Sequence, residues 1–206
     1  MQGWALIWVN QVQSRCCKFT GCCVTRVPRF SECKHGLMSG YRVWELPLRN
    51  GWLGIGPMPG RNGTYQADLT AILRWGADLV LTMTTQDELD RGGVAAFGAD
   101  LSEAGVEWRH LPVPDFGAPP PETAAAWPKA SAVSHSVLAE GGRVFAHCYG
   151  GCGRSGMALM RLMVEAGENA DDALVRLRDA RTCAVETEEQ KTWAAAPMFD
   201  RLKRAR

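Results

Sequence analysis

The stretch His147-Cys148-Tyr149-Gly150-Gly151-Cys152-Gly153-Arg154-Ser155 decides how this chain is read. Before it runs Arg143-Val144-Phe145-Ala146, which is β-prone; after it comes an apolar run with helical character. Glycines let the backbone reach φ > 0, so successive N–H groups can converge on one point. The helix expected from Ser155 adds unpaired N–H groups and the positive end of its dipole. Arg154 adds a planar fork that fits two oxygens of one anion. The bland alternative is an inert buried cysteine in an ordinary turn. It would leave Arg154 at a helix N-terminus, the wrong end for a cation, and a bound oxyanion removes that conflict. The run is not a nucleotide-binding Walker loop, which ends in Gly-Lys-Ser/Thr.

A cysteine at the mouth of such a bowl is expected to be a thiolate near neutral pH. A free thiol titrates near ~8.5, and helix N-termini and cations lower that value. Ser155 can hydrogen-bond the sulfur and help it leave. His147 reads as an anchor of the loop rather than a base. The run resembles the His-Cys-x5-Arg-Ser/Thr signature of the cysteine-dependent protein tyrosine and dual-specificity phosphatases. More narrowly it is similar to the cyclin-dependent-kinase-associated phosphatases and their bacterial relatives, from Tyr41 to about Phe199. The resemblance implies a phosphocysteine mechanism with Cys148 as nucleophile, and no metal or other cofactor. It implies that Tyr149, Gly150, Gly151, Cys152, Gly153 and Arg154 bind the phosphate.

That chemistry needs an acid for the leaving oxygen and then a base for water. In Leu111-Pro112-Val113-Pro114-Asp115-Phe116-Gly117, Asp115 opens a proline-rich loop at a strand end. The resemblance places the general acid there, although Pro-Asp-x-Gly is also a common turn. Glu122, at the start of the next helix, is the fallback. Pro119-Pro120-Pro121 departs from the family pattern and is expected to stiffen this loop. Near the C-terminus Gln190 matches the glutamine that orients the hydrolytic water in the family. Thr187 and Gln190 equally read as a capping box.

The chain has 206 residues, enough for one sizeable core, and a net charge of +1. That balance implies no polyanion-binding surface, so no nucleic acid partner is expected, and an acidic lipid headgroup is disfavoured. Residues 1–37 carry net +4 and hold five of the eight cysteines, Cys16, Cys17, Cys22, Cys23 and Cys33. This segment lacks periodicity and reads as a disordered or spurious extension, with the phosphatase domain spanning 38–206. Adjacent cysteines chelate one zinc ion poorly. The apolar run Trp4–Val9 is too short to span a membrane. No cation precedes it and no small-residue cleavage site follows. A cytoplasmic protein without membrane partners is therefore expected.

From Tyr41 onward strands alternate with helices. Strands are expected at Val43–Leu48, Trp52–Ile55, Asp78–Met83, Trp108–Val113 and Val144–His147. Asn50-Gly51 signals a hairpin turn, and Gly54–Gly60 reads as a proline-punctuated loop. Helices are expected at Tyr65–Trp75, after the capping box Thr85–Glu88, at Ala99–Ala104, Glu122–Ala139 (with Pro128 as a signal for a later start), Ser155–Glu165, Asn169–Arg181, and from Thr187 to Phe199 or beyond. The fold class is α/β: a mainly parallel central sheet with helices on both faces, dual-specificity-phosphatase-like. A phosphorylated protein is the first expected substrate, carrying phosphotyrosine in the first place and phosphoserine or phosphothreonine in the second. A lipid or small-metabolite phosphatase is the second reading, although the loop carries no lysine. A non-catalytic phosphoprotein-binding module is the third. Cys152 and Cys183 are candidate resolving thiols for an oxidised Cys148, unless Cys152 is merely a small apolar side chain beside the loop.

Overall fold

The computed structural model of the protein describes residues 40–196. The expectations for residues 1–37, and the extension of the last helix to Phe199, lie outside the described residues.

Five strands form one sheet: β1 (Trp44–Leu48), β2 (Gly51–Pro57), β3 (Leu79–Thr82), β4 (Glu107–His110) and β5 (Arg143–Cys148). Their spatial order is β1-β2-β5-β3-β4, with only β1–β2 antiparallel. The helices are α1 (Tyr65–Trp75), α2 (Gln86–Arg91), α3 (Phe97–Glu103), α4 (Pro121–Ala139), α5 (Gly153–Glu165), α6 (Ala170–Ala180) and α7 (Glu188–Ala195). The sheet is covered on both faces. Period-two alternation along β5 shows why: Val144, Ala146 and Cys148 join a core with α4, α5 and α6, while Phe145 joins a second core with α1 and α3. Because β2, β5, β3 and β4 run parallel, their C-terminal ends share one edge, where α/β sheets bind ligands. The loops after Cys148 and His110 open there. Among the described residues no helix is long and apolar enough to cross a membrane.

Several local expectations are corrected. Leu48 pairs with Gly51, so the β1–β2 turn is Arg49-Asn50, with Arg49 at φ 55°. Gly51 is glycine for a different reason: a Cβ there would lie 2.3 Å from the Gly142 carbonyl oxygen. The run from Gly54 begins inside β2 and becomes a loop only after Pro57. β4 ends at His110, before the prolines that cannot donate to a ladder. α4 starts at Pro121 and continues through Pro128. An interior proline costs about 3 kcal/mol. Burial of Trp127, Ala130, Ser131, Ser134 and Leu138 on the same helix outweighs that cost.

Candidate active site

Cys148 ends β5 and is buried, and it is the free cysteine among the described residues. The chain then turns through residues 149–152 into α5, which begins with Gly153 and Arg154. Gly151 sits at φ 67°, and a Cβ on it would lie 2.3 Å from the carbonyl carbon of Gly56 at the end of β2. Only glycine meets both demands. The Ser155 hydroxyl lies 3.3 Å from Cys148 Sγ.

His147 points to the opposite face of the sheet. Its Nε2 lies 2.8 Å from Thr82 Oγ1, which also accepts from the Trp108 indole at 2.7 Å. The ring is fully buried, edge-on to Phe97 and stacked on Phe145. Burial, then the charges of His110 and Arg154, push its pKa down to about 3 against the pull of Glu88. A ring held neutral in this way anchors the strand end behind the loop.

Arg154 is 1% exposed. Its Nη1 donates to Glu88 Oε2 at 2.7 Å and to the Val113 carbonyl at 3.0 Å. Its Nη2 donates to Glu88 Oε1 at 2.8 Å and lies 2.9 Å from Asp115 Oδ1. Glu88 thus holds the outer edge of the guanidinium in a bidentate pair and orients the Nε–Nη2 edge. Burial alone would raise the Glu88 pKa. Its hydrogen bonds to Arg154 and the Thr85 backbone N–H outweigh burial and hold it below the usual carboxylate value. Burial works against the charge on Arg154 too, and Glu88, Cys148 and Asp115 together raise its pKa.

Sequence reasoning read Glu88 only as a capping-box member. It is one: Thr85 accepts from the Glu88 N–H while the Glu88 carboxylate accepts from the Thr85 N–H. The same carboxylate also reaches Arg154, 66 residues away.

Asp115 is brought to Arg154 on an exposed loop, where its side chain is 57% exposed. Its neighbour Phe116 is 60% exposed at φ 58°. Glu122 lies exposed on the first turn of α4, and no ion pair joins it to Arg154. Gln190 is buried. Its Oε1 accepts from the Glu186 N–H at 2.9 Å and its Nε2 donates to the Gly117 carbonyl at 3.3 Å, so it joins the loop carrying Asp115 to the connector before α7. Thr187 caps α7 through the Gln190 N–H. The reciprocal half of the expected box goes to Glu186 instead.

Cys152 and Cys183 are bonded to each other, with Cα atoms 5.2 Å apart. Neither sulfur is therefore held for Cys148, which corrects the expectation of a resolving thiol or an apolar filler. Beyond the loop opens a cavity of about 800 Å³, with Met58, Arg61, Glu88, Arg91, Asp115 and Tyr149 among its lining. Tyr149 is 45% exposed, and the Arg61 guanidinium lies 5.1 Å from its ring centroid. Among the described residues no cluster of His, Cys, Asp or Glu could hold a metal ion.

A strand-ending cysteine beneath an arginine-headed helix, on this sheet, defines the class of cysteine-based phosphatases. Residues 56–168 match the family model described as Tc-R-P, a polymorphic toxin system DSP-PTPase phosphatase, and the chain belongs to that family. Its fold is shared with kinase associated phosphatase, whose structure was determined with the catalytic cysteine changed to serine. That match has 22% identity and TM-score 0.68, and covers 80% of this chain and 96% of the other. Tk-PTP in its active form matches at 29% identity and TM-score 0.53, over 68% and 87% of the two chains. PTPMT1 in complex with PI(5)P matches at 20% identity and TM-score 0.59, over 79% and 99%. No curated protein matches the chain in sequence.

Proposed function

We propose that the protein hydrolyses phosphomonoesters of phosphorylated proteins through a phosphocysteine intermediate. The observation that carries this reading is Cys148 at the end of β5, 3.3 Å from the Ser155 hydroxyl, at the start of the loop that leads into Arg154. The substrate phosphate takes the loop amides and the Nε–Nη2 edge of Arg154, where Asp115 now rests. The Cys148 thiolate attacks phosphorus, and the leaving oxygen departs with a proton from Asp115. Water then attacks the phosphocysteine, giving its proton to Asp115. The thiolate leaves with a hydrogen bond from Ser155, and inorganic phosphate is released. Gln190 lies beside the loop: a Cβ on Gly153 would be 2.8 Å from its Oε1. It orients that water once the acid loop shifts and frees its amide. Arg154 gathers charge on the equatorial oxygens in the transition state.

The expected place of action is the cytoplasm, where phosphoprotein substrates occur, with neither nucleic acid nor membrane as partner. A second reading, hydrolysis of a phosphorylated lipid headgroup or small metabolite, is favoured by Arg61 and Arg91 in the wall of the cavity and by the fold shared with a phosphatase bound to PI(5)P.

The test is a panel of phosphopeptides, phosphoinositides and sugar phosphates assayed in excess chelator. Phosphopeptides should turn over fastest, and the chelator should not lower the rate. A preference for a phosphoinositide by tenfold or more would install the second reading. A rate that collapses in chelator and returns with a divalent cation would contradict the mechanism.

A further inference from the structure

We propose that the connector between α6 and α7 positions the phosphate loop for catalysis, acting through two ties: Arg181 and the Cys152–Cys183 disulfide. The proposal rests on the reading that this loop holds a phosphate.

A loop that aims its N–H groups at one anion must aim its carbonyls outward, and each of those needs a donor. All four are supplied from outside. The Tyr149 carbonyl accepts from the Met58 N–H at 3.3 Å, and the Cys152 carbonyl from the Gly156 N–H at 2.8 Å and the Val185 N–H at 3.4 Å. The two glycine carbonyls between them both go to Arg181: Nε donates to Gly151 at 3.0 Å and Nη2 to Gly150 at 3.2 Å. Glycine peptides are the ones most free to flip, and a flip of either would break a bond to the same rigid fork. Trp44 packs under that fork, with its ring centroid 3.8 Å away. Among the described residues no carboxylate pairs with Arg181. Burial lowers its pKa, as do the like charges of Arg42 and Arg61, while the Cys148 sulfur pulls the other way.

The disulfide ties the next residue of the loop to the same connector, two residues beyond Arg181. Glu186 completes the set by accepting from the Gly153 N–H at 2.9 Å. Gly150, Gly151, Cys152 and Gly153 are thus all fastened to the six-residue stretch 181–186, which carries none of the reacting atoms.

The redox consequence follows directly. A dithiol reductant attacks the Cys152–Cys183 bond, gives up two electrons and leaves as a cyclic disulfide. Two protein thiols remain, and the loop keeps only its non-covalent ties, from Arg181, Glu186 and the backbone.

The experiment measures inorganic phosphate binding by calorimetry, and the thermal midpoint, in the full-length Cys148→Ser protein, which cannot turn over or oxidise at that position. The disulfide is first verified by peptide mapping. Reduction should weaken phosphate binding about three- to tenfold, and Cys183→Ser should do the same. Reductant should then have no further effect on the Cys183→Ser protein, which separates this bond from the N-terminal cysteines. Arg181→Ala should weaken binding more than tenfold, and Arg181→Lys should recover part of that loss. In the catalytically intact chain, Arg181→Ala should lower kcat as well as raise KM. A fall in thermal midpoint with phosphate affinity unchanged would overturn the proposal, leaving the ties as ordinary staples. Mapping that finds Cys152 and Cys183 unpaired in air-oxidised protein would overturn the disulfide half. Failure of the parent Cys148→Ser protein to bind phosphate, with no turnover by the intact chain, would overturn the phosphatase reading and this proposal together.

Discussion

Two loops meet over Cys148, and they are built in opposite ways. The phosphate loop, residues 149–152, has each carbonyl bonded from outside, a covalent tie at Cys152 and a glycine wedged against β2. The acid loop carries Asp115 and Phe116 largely in solvent. It is held by the Gly117 N–H to the Pro114 carbonyl, by the Thr187 hydroxyl to the Phe116 carbonyl and by Gln190 to the Gly117 carbonyl. The contrast suits the proposed chemistry. A cradle that stabilises charge must not reorganise, whereas an acid that delivers a proton and then takes one must be able to shift. Gln190 couples the two loops, because its side chain accepts from the Glu186 N–H of the bracing segment and donates to the Gly117 carbonyl, and Thr187 adds its bond to the Phe116 carbonyl.

The largest predicted effects lie in the rigid half. Cys148→Ser should lower turnover on the order of 10³-fold or more, because a hydroxyl is not ionised near neutral pH. Arg154→Lys should cost about 10²–10³-fold in kcat, since an ammonium can neither fork onto phosphate nor keep the bidentate pair with Glu88. Steady-state kinetics on an aryl phosphate check both, and near-normal rates in either would contradict the assigned roles.

The exposed half should show a conditional defect. Asp115→Asn should cost about 10²-fold on alkyl phosphates and much less on aryl phosphates whose leaving groups need little protonation. A defect of equal size across leaving groups would mean that the substitution disturbs the loop instead of removing an acid, and Glu122→Gln would be the next variant.

Glu88→Gln sharpens the comparison from the side of stability. It leaves the buried Arg154 half-compensated and should cost about 3 kcal/mol, read from chemical denaturation. The sign with pH is fixed by the lowered pKa of Glu88. Its contribution is complete above the ordinary carboxylate value and is lost as pH falls through the depressed one. The variant should therefore be less acid-sensitive than the parent over that window.

His147 has no effect at neutral pH and shows itself only in acid. Its ordinary value is 6.5 and its folded value about 3, so stability is complete above pH 6.5 and declines as pH falls toward 3. The slope is at most about 1.4 kcal/mol per pH unit. Denaturation midpoints from pH 7 to pH 4 should show that slope, and His147→Gln should flatten it. An unchanged slope would mean that the buried ring is not what acid attacks.

Features legible in the sequence were those whose signal is local. The loop from Cys148 to Arg154, the strand before it and the helix after it sit in one short run, and Asp115, which the fold brings to Arg154, stands out in its proline-rich stretch. The alternation of strands and helices gave the parallel sheet. What escaped reading depends on residues far apart in the chain. Glu88 is already accounted for by its own helix cap, so nothing local points to Arg154. Arg181 and Glu186 belong to an unremarkable connector, and their partners are backbone atoms, which leave no trace in a sequence. Cys152 and Cys183 were visible as cysteines, but their pairing is a matter of Cα separation. Gly51 showed a turn signal while serving a close backbone approach. Pro128 would end an isolated helix, and only tertiary packing carries α4 through it.

The central claim is that Cys148 becomes covalently phosphorylated while the braced loop holds the transferred group. Rapid quenching of the full chain with a ³²P-labelled aryl phosphate, followed by peptide mapping, tests it most directly. Label should appear on the peptide containing Cys148 within one turnover, and should accumulate further in Gln190→Ala, where water is no longer oriented. Turnover proceeding with no protein-bound label, or with label on another residue, would contradict the account.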